Sequence, residues 1–170
     1  LQPLGILEMI VTRKEKANLQ HIREVKPEVV FNSIPQDIHK TSVLLFLNEL
    51  LYKSLQEENP NKALFSFILK SLVELEEREL TGDYHLLFAL KLTRHLGFYP
   101  SGRCDANHSV FDLEEGTFIP APAVSGFGFI SGQPCSDFDR LIGVCEEASP
   151  EPGFSYASRR ELLDNILLYY

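Results

Sequence analysis

Hydrophobic and polar positions along this chain follow two different periods in turn. Leu4 to Val11 is rich in Ile, Leu and Val and predicts a strand. Thr12 to Asn18 is a polar turn, and Leu19 to Val25 alternates loosely, which predicts the returning strand. The turn is longer than the two-residue loop of an ideal hairpin. Pro27 and Pro35 then bracket an irregular connector, Glu28 to Ile34.

From Asp37 to Gln56 the period lengthens to that of a helix. Val43, Phe46, Leu47, Leu50 and Leu51 share one face, with Glu49, Lys53 and Gln56 opposite. Leu44 and Leu45 widen the apolar arc, so this helix is expected to be central and mostly buried. Asn59-Pro60 is a helix-start signal, an N-cap residue followed by proline at the first helical position. The second helix is expected to run to about Glu79, burying Leu64, Phe65, Ile68, Leu72 and Leu75, and Thr81-Gly82 breaks it. Asp83 is placed to cap a third helix, Tyr84 to Leu96, which Gly97 ends. Short breaks between the three predict antiparallel neighbours in a bundle.

From Tyr99 to Pro122 the composition shifts to Gly, Pro, Ser and Asn. Phe111 to Phe118 predicts a small hairpin with Glu115-Gly116 at its turn. Ile119-Pro120-Ala121-Pro122-Ala123 is expected to be extended, because proline restricts the residue before it. Ser136 to Cys145 predicts a short helix. Ser158 is the expected cap of a last helix, with Glu161 at the capping-box position.

The chain has 170 residues, about one domain or one domain plus a fragment, and 44% apolar content suits a globular core. No apolar run is long enough to span a bilayer, so no membrane role is expected. The first residues lack Met, a basic segment and a cleavage site, and Leu162 to Tyr170 stops inside a helical pattern; residues are expected to be missing at both ends. Three cysteines without C-x-x-C spacing argue against a disulfide framework and predict a cytoplasmic protein. A net charge of −8 is unusual for a dedicated nucleic-acid binder. The charge is uneven. Residues 1–35 hold Arg13, Lys14, Lys16, Arg23 and Lys26 against Glu8, Glu15, Glu24 and Glu28, a balance of +1, and the remainder carries −9.

Five groups of residues bear on chemistry. Gly126 to Gly132 superficially suggests a phosphate loop. Aromatic residues alternate with its glycines and Pro134 follows, so an irregular or strand-like segment is the better reading. Cys104, His108, Cys135 and Cys145 supply sulfur and nitrogen ligands suited to zinc, but only Cys104 and His108 form a tight pair, and no metal is expected. Glu74, Glu76, Glu77 and Glu79 read as a solvated helix face. Lys91, Arg94 and His95 share a face near the C-terminus of the third helix. There they compensate the macrodipole, or form a small basic patch for an acidic peptide. Arg13, Lys14, Lys16, His21, Arg23 and Lys26 lie in and beside the first hairpin. They suit phosphate contact, with no aromatic residue there for base stacking.

Several strings occur in a telling order. They are Leu1-Gln2-Pro3-Leu4, Leu19-Gln20-His21-Ile22-Arg23-Glu24-Val25, Leu47-Asn48-Glu49-Leu50-Leu51, Leu96-Gly97-Phe98, Phe111-Asp112-Leu113 with Gly116 and Phe118, and Arg159-Arg160-Glu161-Leu162-Leu163 ending in Tyr169-Tyr170. The set covers most of the chain and resembles the RecO family of recombination mediators, in particular its acidic, zinc-less members. The first two strings are similar to late strands of that family's OB-fold. The others are similar to the first and third core helices, the later hairpin and the last long helix of its helical domain.

The resemblance implies an α+β protein: a partial OB-fold β unit in residues 1–35, then a mainly α-helical domain in residues 36–170, with a hairpin and irregular insertion at about 99–135. The early strands of the OB-fold are not in this sequence. The resemblance further implies DNA repair and recombination by binding single- and double-stranded DNA and annealing strands. It also implies helping RecR load RecA onto DNA coated with single-stranded-DNA-binding protein (SSB). No covalent reaction and no cofactor is implied. Arg13, Lys14, Lys16, Arg23 and Lys26 are the candidate DNA contacts. Lys91 and Arg94 are the candidate cations for the acidic SSB tail, and the expected location is cytoplasmic and nucleoid-associated. Some family members carry a four-cysteine zinc module where Gly102 to Cys145 lies; three unpaired cysteines here predict its absence. The rival reading is a helical protein-interaction adaptor that binds no DNA. A metal-dependent enzyme built on Cys104, His108 and Cys135 is a distant third.

Overall fold

The computed structural model describes residues 2–12, 19–55, 60–121, 128–147 and 152–170. The fold is α+β. In chain order it comprises β1 (Leu7–Thr12), β2 (His21–Pro27), α1 (Ser33–Gln36), α2 (Ile38–Ser54), α3 (Lys62–Glu77), α4 (Tyr84–Leu96), β3 (Val110–Asp112), β4 (Thr117–Ile119), β5 (Phe129–Ser131), α5 (Gln133–Glu147) and α6 (Tyr156–Tyr169). β1 and β2 form an antiparallel pair, and β4-β3-β5 form a second antiparallel sheet. Both strands of the first hairpin begin later than the apolar pattern predicts. Leu4 instead takes a positive φ of 52° in a turn closed by the Gly5 amide on the Gln2 carbonyl, and Leu4 and Ile6 pack against the helices.

The segment between Pro27 and Pro35 is not merely an irregular connector. Phe31 and Ile34 are buried in a small core with Leu44, Leu72 and Leu75, and α1 begins inside it at Ser33. Asn32, at the N-cap, makes no side-chain cap. The Glu76 carboxylate replaces it, accepting the backbone amides of Asn32 at 2.7 Å, Ser33 at 2.7 Å and Ile34 at 3.0 Å. Glu76 is therefore not a solvated member of the acidic run. The cap comes from more than 40 residues away, so no local signal announces it.

Asp37 caps α2, accepting from His39 and Lys40 amides at 2.8 and 3.3 Å. Leu44, Leu47, Leu50 and Leu51 are buried. Leu45 is 51% exposed and Tyr52 83% exposed, so the helix is buried along one arc rather than mostly surrounded. α3 is capped by Asn61, whose Oδ1 accepts the Leu64 amide at 3.0 Å; the predicted cap, Asn59, lies outside the described residues. Phe65 is exposed, contrary to expectation. Phe67 takes the inward place, stacked on Phe88 with centroids 5.1 Å apart, because α4 lies on that side. α4 has the predicted limits, and Gly97 ends it at φ +90°, a left-handed conformation that costs glycine little.

The larger core joins α2, α4, α5 and α6 to the second sheet, with Phe111 at 5.0 Å from Phe118 and 4.8 Å from Phe138, centroid to centroid. The predicted hairpin at Phe111 to Phe118 is present. Asp112 Oδ1 accepts the Glu114 and Glu115 amides in its turn. Of the glycine-rich stretch, residues 126–127 lie outside the described residues, and Phe129–Ser131 is β5, as a strand-like reading expects. Gly132 leads directly into α5, and Pro134 sits in the first turn, where its missing N–H costs nothing. β5 pairs antiparallel with β3, so this is not the parallel βαβ unit of a dinucleotide site. α5 exceeds the predicted Ser136–Cys145 at both ends. α6 is capped by Ser155, not Ser158: Ser155 Oγ accepts the Ser158 amide at 3.1 Å.

Candidate nucleic-acid interface

The register of the first hairpin sorts its side chains by chemistry. Leu7 pairs with Pro27, Met9 with Val25 and Val11 with Ile22, and these pairs share one face of the ribbon. Glu8 pairs with Lys26, Ile10 with Glu24 and Thr12 with His21 on the other. The sequence of β2 alternates only loosely because Arg23 is an extra residue: Ile10 faces Glu24, and the next residue, Val11, faces Ile22. This bulge keeps Ile22 on the same side as Val25, Met9 and Val11 and sets Arg23 outside the ladder. Bulges often serve to re-aim a side chain in this way.

The apolar face is largely uncovered. Met9 is 50% and Ile22 54% exposed. Arg23 is exposed, while Lys26 Nζ lies 2.6 Å from Glu8 Oε2, a cross-strand ion pair that engages part of its charge. Arg13, Lys14 and Lys16 lie outside the described residues. Of the candidate DNA contacts, Arg23 is thus the one whose placement is defined and which has no such carboxylate partner among the described residues.

The cations of α4 divide. His95 turns toward α3 and stacks on Phe67, 4.7 Å between centroids, so it does not share a patch with Lys91 and Arg94. The Arg94 guanidinium lies over the Tyr99 ring at 4.2 Å from the centroid. Burial pushes the Tyr99 hydroxyl up to about 12. Burial likewise pushes the Cys145 thiol, on α5, up to about 11, against the opposing charges of Lys91 and Arg94. Lys91 and Arg94 therefore sit at the α4–α5 seam, exposed to solvent beside an aromatic ring and a thiol. A cation over apolar walls suits an acidic peptide with an apolar end.

The four candidate zinc ligands do not converge. Cys104 and Cys135 meet, sulfur to sulfur at 3.8 Å. His108 Nδ1 instead approaches Asp105 Oδ1 at 3.1 Å, and Cys145 lies with Lys91 and Arg94. Among the described residues no group of three or more His, Cys, Asp or Glu is placed to hold a metal ion. No described helix is long and apolar enough to cross a membrane.

Comparison with known proteins falls on most of this chain. The family model described as Recombination protein O C terminal matches residues 35–159. A protein of Flavobacterium psychrophilum named DNA repair protein RecO is 32% identical over 169 residues, covering 99% of this chain and 69% of that protein. One of Bacteroides fragilis with the same name is 35% identical over 172 residues, covering 99% and 70%. One of Azobacteroides pseudotrichonymphae is 29% identical over 169 residues, covering 99% and 70%.

Proposed function

This chain belongs to the RecO family of DNA repair proteins, and from that premise we propose that it is a non-enzymatic recombination mediator. It binds single- and double-stranded DNA, anneals complementary strands, and helps RecR load RecA onto SSB-coated DNA in the cytoplasm. It uses no cofactor. The observation that carries this reading is the division of the first hairpin, with an uncovered apolar face and a bulge that sets Arg23 outside the ladder. Two strands alone are marginal in water. An apolar face of this kind suits two strands of an OB-fold whose other strands lie across it, with residues 36–170 as the helical domain against which Leu4, Ile6, Phe31 and Ile34 pack. OB-folds use positive grooves to track a nucleic-acid backbone. Arg23, with Lys26 and the turn residues Arg13, Lys14 and Lys16, supplies phosphate contacts that are blind to base sequence. Lys91 and Arg94 receive the acidic SSB tail at the α4–α5 seam.

One observation favours a second reading, a protein adaptor without DNA affinity: the net charge of −8 repels phosphate at long range. Strand annealing by the complete polypeptide separates the two. Complementary strands coated with SSB are expected to anneal, and to stop annealing when the SSB tail is deleted. DNA affinity is expected to fall steeply with salt as counterions are released. No annealing and no DNA shift at low salt would establish the adaptor instead.

A further inference from the structure

Cys104 and Cys135 are 31 residues apart in sequence, yet the Cys135 thiol donates to the Cys104 sulfur at 3.8 Å. Their approach is held from both sides. Asp139, one helical turn beyond Cys135 on α5, accepts the backbone amide of Cys104 at 3.0 Å. The same carboxylate takes the Arg103 guanidinium through two bonds, 2.7 and 3.3 Å. Arg103 also reaches Glu146 at 3.6 Å. Cys135 sits at 0% exposure in the larger core, whereas Cys104 is partly open to solvent. A disulfide needs its sulfurs about 2.05 Å apart, so two side chains shift by a total of under about 2 Å to close it. Cys145 is not a competitor, because ten residues of α5 place it about 15 Å along the helix from Cys135.

We infer that Cys104 and Cys135 form a redox-active dithiol, which a hydroperoxide converts to an intramolecular disulfide. The Cys104 thiolate attacks one peroxide oxygen. The O–O bond breaks, and the leaving oxygen departs as water or an alcohol after taking up a proton. Cys104 is left as a sulfenic acid. The Cys135 sulfur then attacks the Cys104 sulfur; the S–S bond forms, the S–O bond breaks, and water leaves with the Cys135 proton. The two thiols lose two electrons and the peroxide gains them. The order follows from access: an oxidant meets Cys104 first, and the buried Cys135 reacts with the partner already beside it.

The bond has a structural consequence. β3, β4 and β5 all lie between Cys104 and Cys135 in the chain. The disulfide therefore encloses the whole second sheet in one covalent loop and staples the segment before β3 to the head of α5. Oxidation is expected to raise the thermal midpoint by about 5 °C or more, chiefly by restricting the unfolded chain.

The test uses the full chain, reduced, freed of reductant and treated with hydrogen peroxide. Remaining thiols are then alkylated and the digest is mapped without reduction. The expected product is one peptide pair joining Cys104 to Cys135, lighter by two hydrogens, with Cys145 alkylated. Cys145→Ser should form the same bond, and dithiothreitol should reverse both the bond and the rise in thermal midpoint. In Cys135→Ser, if folded, dimedone should trap a sulfenic acid at Cys104. The inference is overturned if all three thiols stay alkylatable, if Cys104 proceeds to sulfinic acid without a cross-link, or if the cross-link joins Cys145 or a second chain. The wild-type map decides this whether or not the variant folds.

Discussion

The carboxylate of Asp83 accepts the backbone amide of Phe154 at 3.1 Å, joining the head of α4 to the lead-in of α6 across 71 residues. The same oxygen takes the Gly153 amide at 2.8 Å, and the other oxygen lies 3.7 Å from Arg159. Asp83 stands at the N-cap position of α4 without capping it; its side chain serves the tertiary seam instead. At 1% exposure it cannot be exchanged for water without cost. Asp83→Ala leaves the Gly153 and Phe154 amides without their acceptor and removes the charge beside Arg159, and is expected to cost about 3 kcal/mol in urea denaturation. A loss below the usual scatter of surface substitutions would show that the seam is held by packing alone.

Glu76 plays the corresponding part for the smaller core. Burial works to raise its pKa, but amide bonds from Ser33, Ile34 and Asn32 and the charge of Lys40 outweigh it and hold the carboxyl below its ordinary 4.5. A depressed carboxyl stabilises the fold fully above its unfolded pKa and loses that contribution as pH falls through its folded pKa. Glu76→Gln should therefore cost about 2 kcal/mol at neutral pH. It should also flatten the stability profile below pH 4.5, measured by thermal denaturation against pH. Parallel profiles for the two proteins would remove Glu76 from this role.

His85 gives a pH effect of the opposite residue type but the same slope. Burial lowers its pKa below 6.5; Asp83 opposes this and Arg159 adds to it. The unfolded chain thus binds the proton more readily, so stability falls as pH drops below 6.5 toward the folded pKa. His85 also meets the Phe46 ring edge-on at 6.0 Å. His85→Gln is expected to lose some stability at pH 8 and to show a shallower decline just below 6.5. An unchanged decline would place its source elsewhere.

On the hairpin, Arg23 and Lys26 are expected to differ. Lys26 is paired with Glu8 and Arg23 is the bulged residue. Arg23→Ala should weaken binding of the complete polypeptide to single-stranded DNA uniformly across sequences. It should also reduce the salt slope by about 1 unit, and Lys26→Ala should do less of both. Fluorescence anisotropy at several salt concentrations measures both quantities. Equal effects would mean that the ion pair opens on DNA.

At the α4–α5 seam, Arg94→Glu is expected to weaken binding of an SSB-tail peptide at least about tenfold by reversing the charge over Tyr99. His95→Ala should leave it unchanged, because His95 faces Phe67. Titration calorimetry distinguishes the two, and a shared loss would put the site between α3 and α4.

Much of this architecture is legible in the chain itself. Periodicity marks α2 and α4, and Gly97 marks the end of α4, because amphipathic spacing and the left-handed glycine conformation are properties of a few consecutive residues. The turn at Asp112 to Gly116 is legible for the same reason. Phe65 and Leu45 misled, because apolar identity does not say which neighbour a helix will meet. The loose alternation of β2 has its cause at Arg23: one inserted residue shifts the phase of a strand, and only the partner strand reveals it.

The features that join distant segments belong to the tertiary structure. Glu76 on the α1 amides, Asp83 on the Phe154 amide and Cys135 on Cys104 span 31 to 71 residues, and each looks locally like a charged helix face, a cap or an isolated cysteine. The sequence by itself determined that the long helices and the Asp112 turn form, and which family the chain resembles, since those depend on short-range sterics and ordered strings. Which polar groups meet was decided only by packing, because a buried donor must find an acceptor wherever the folded chain brings one within reach.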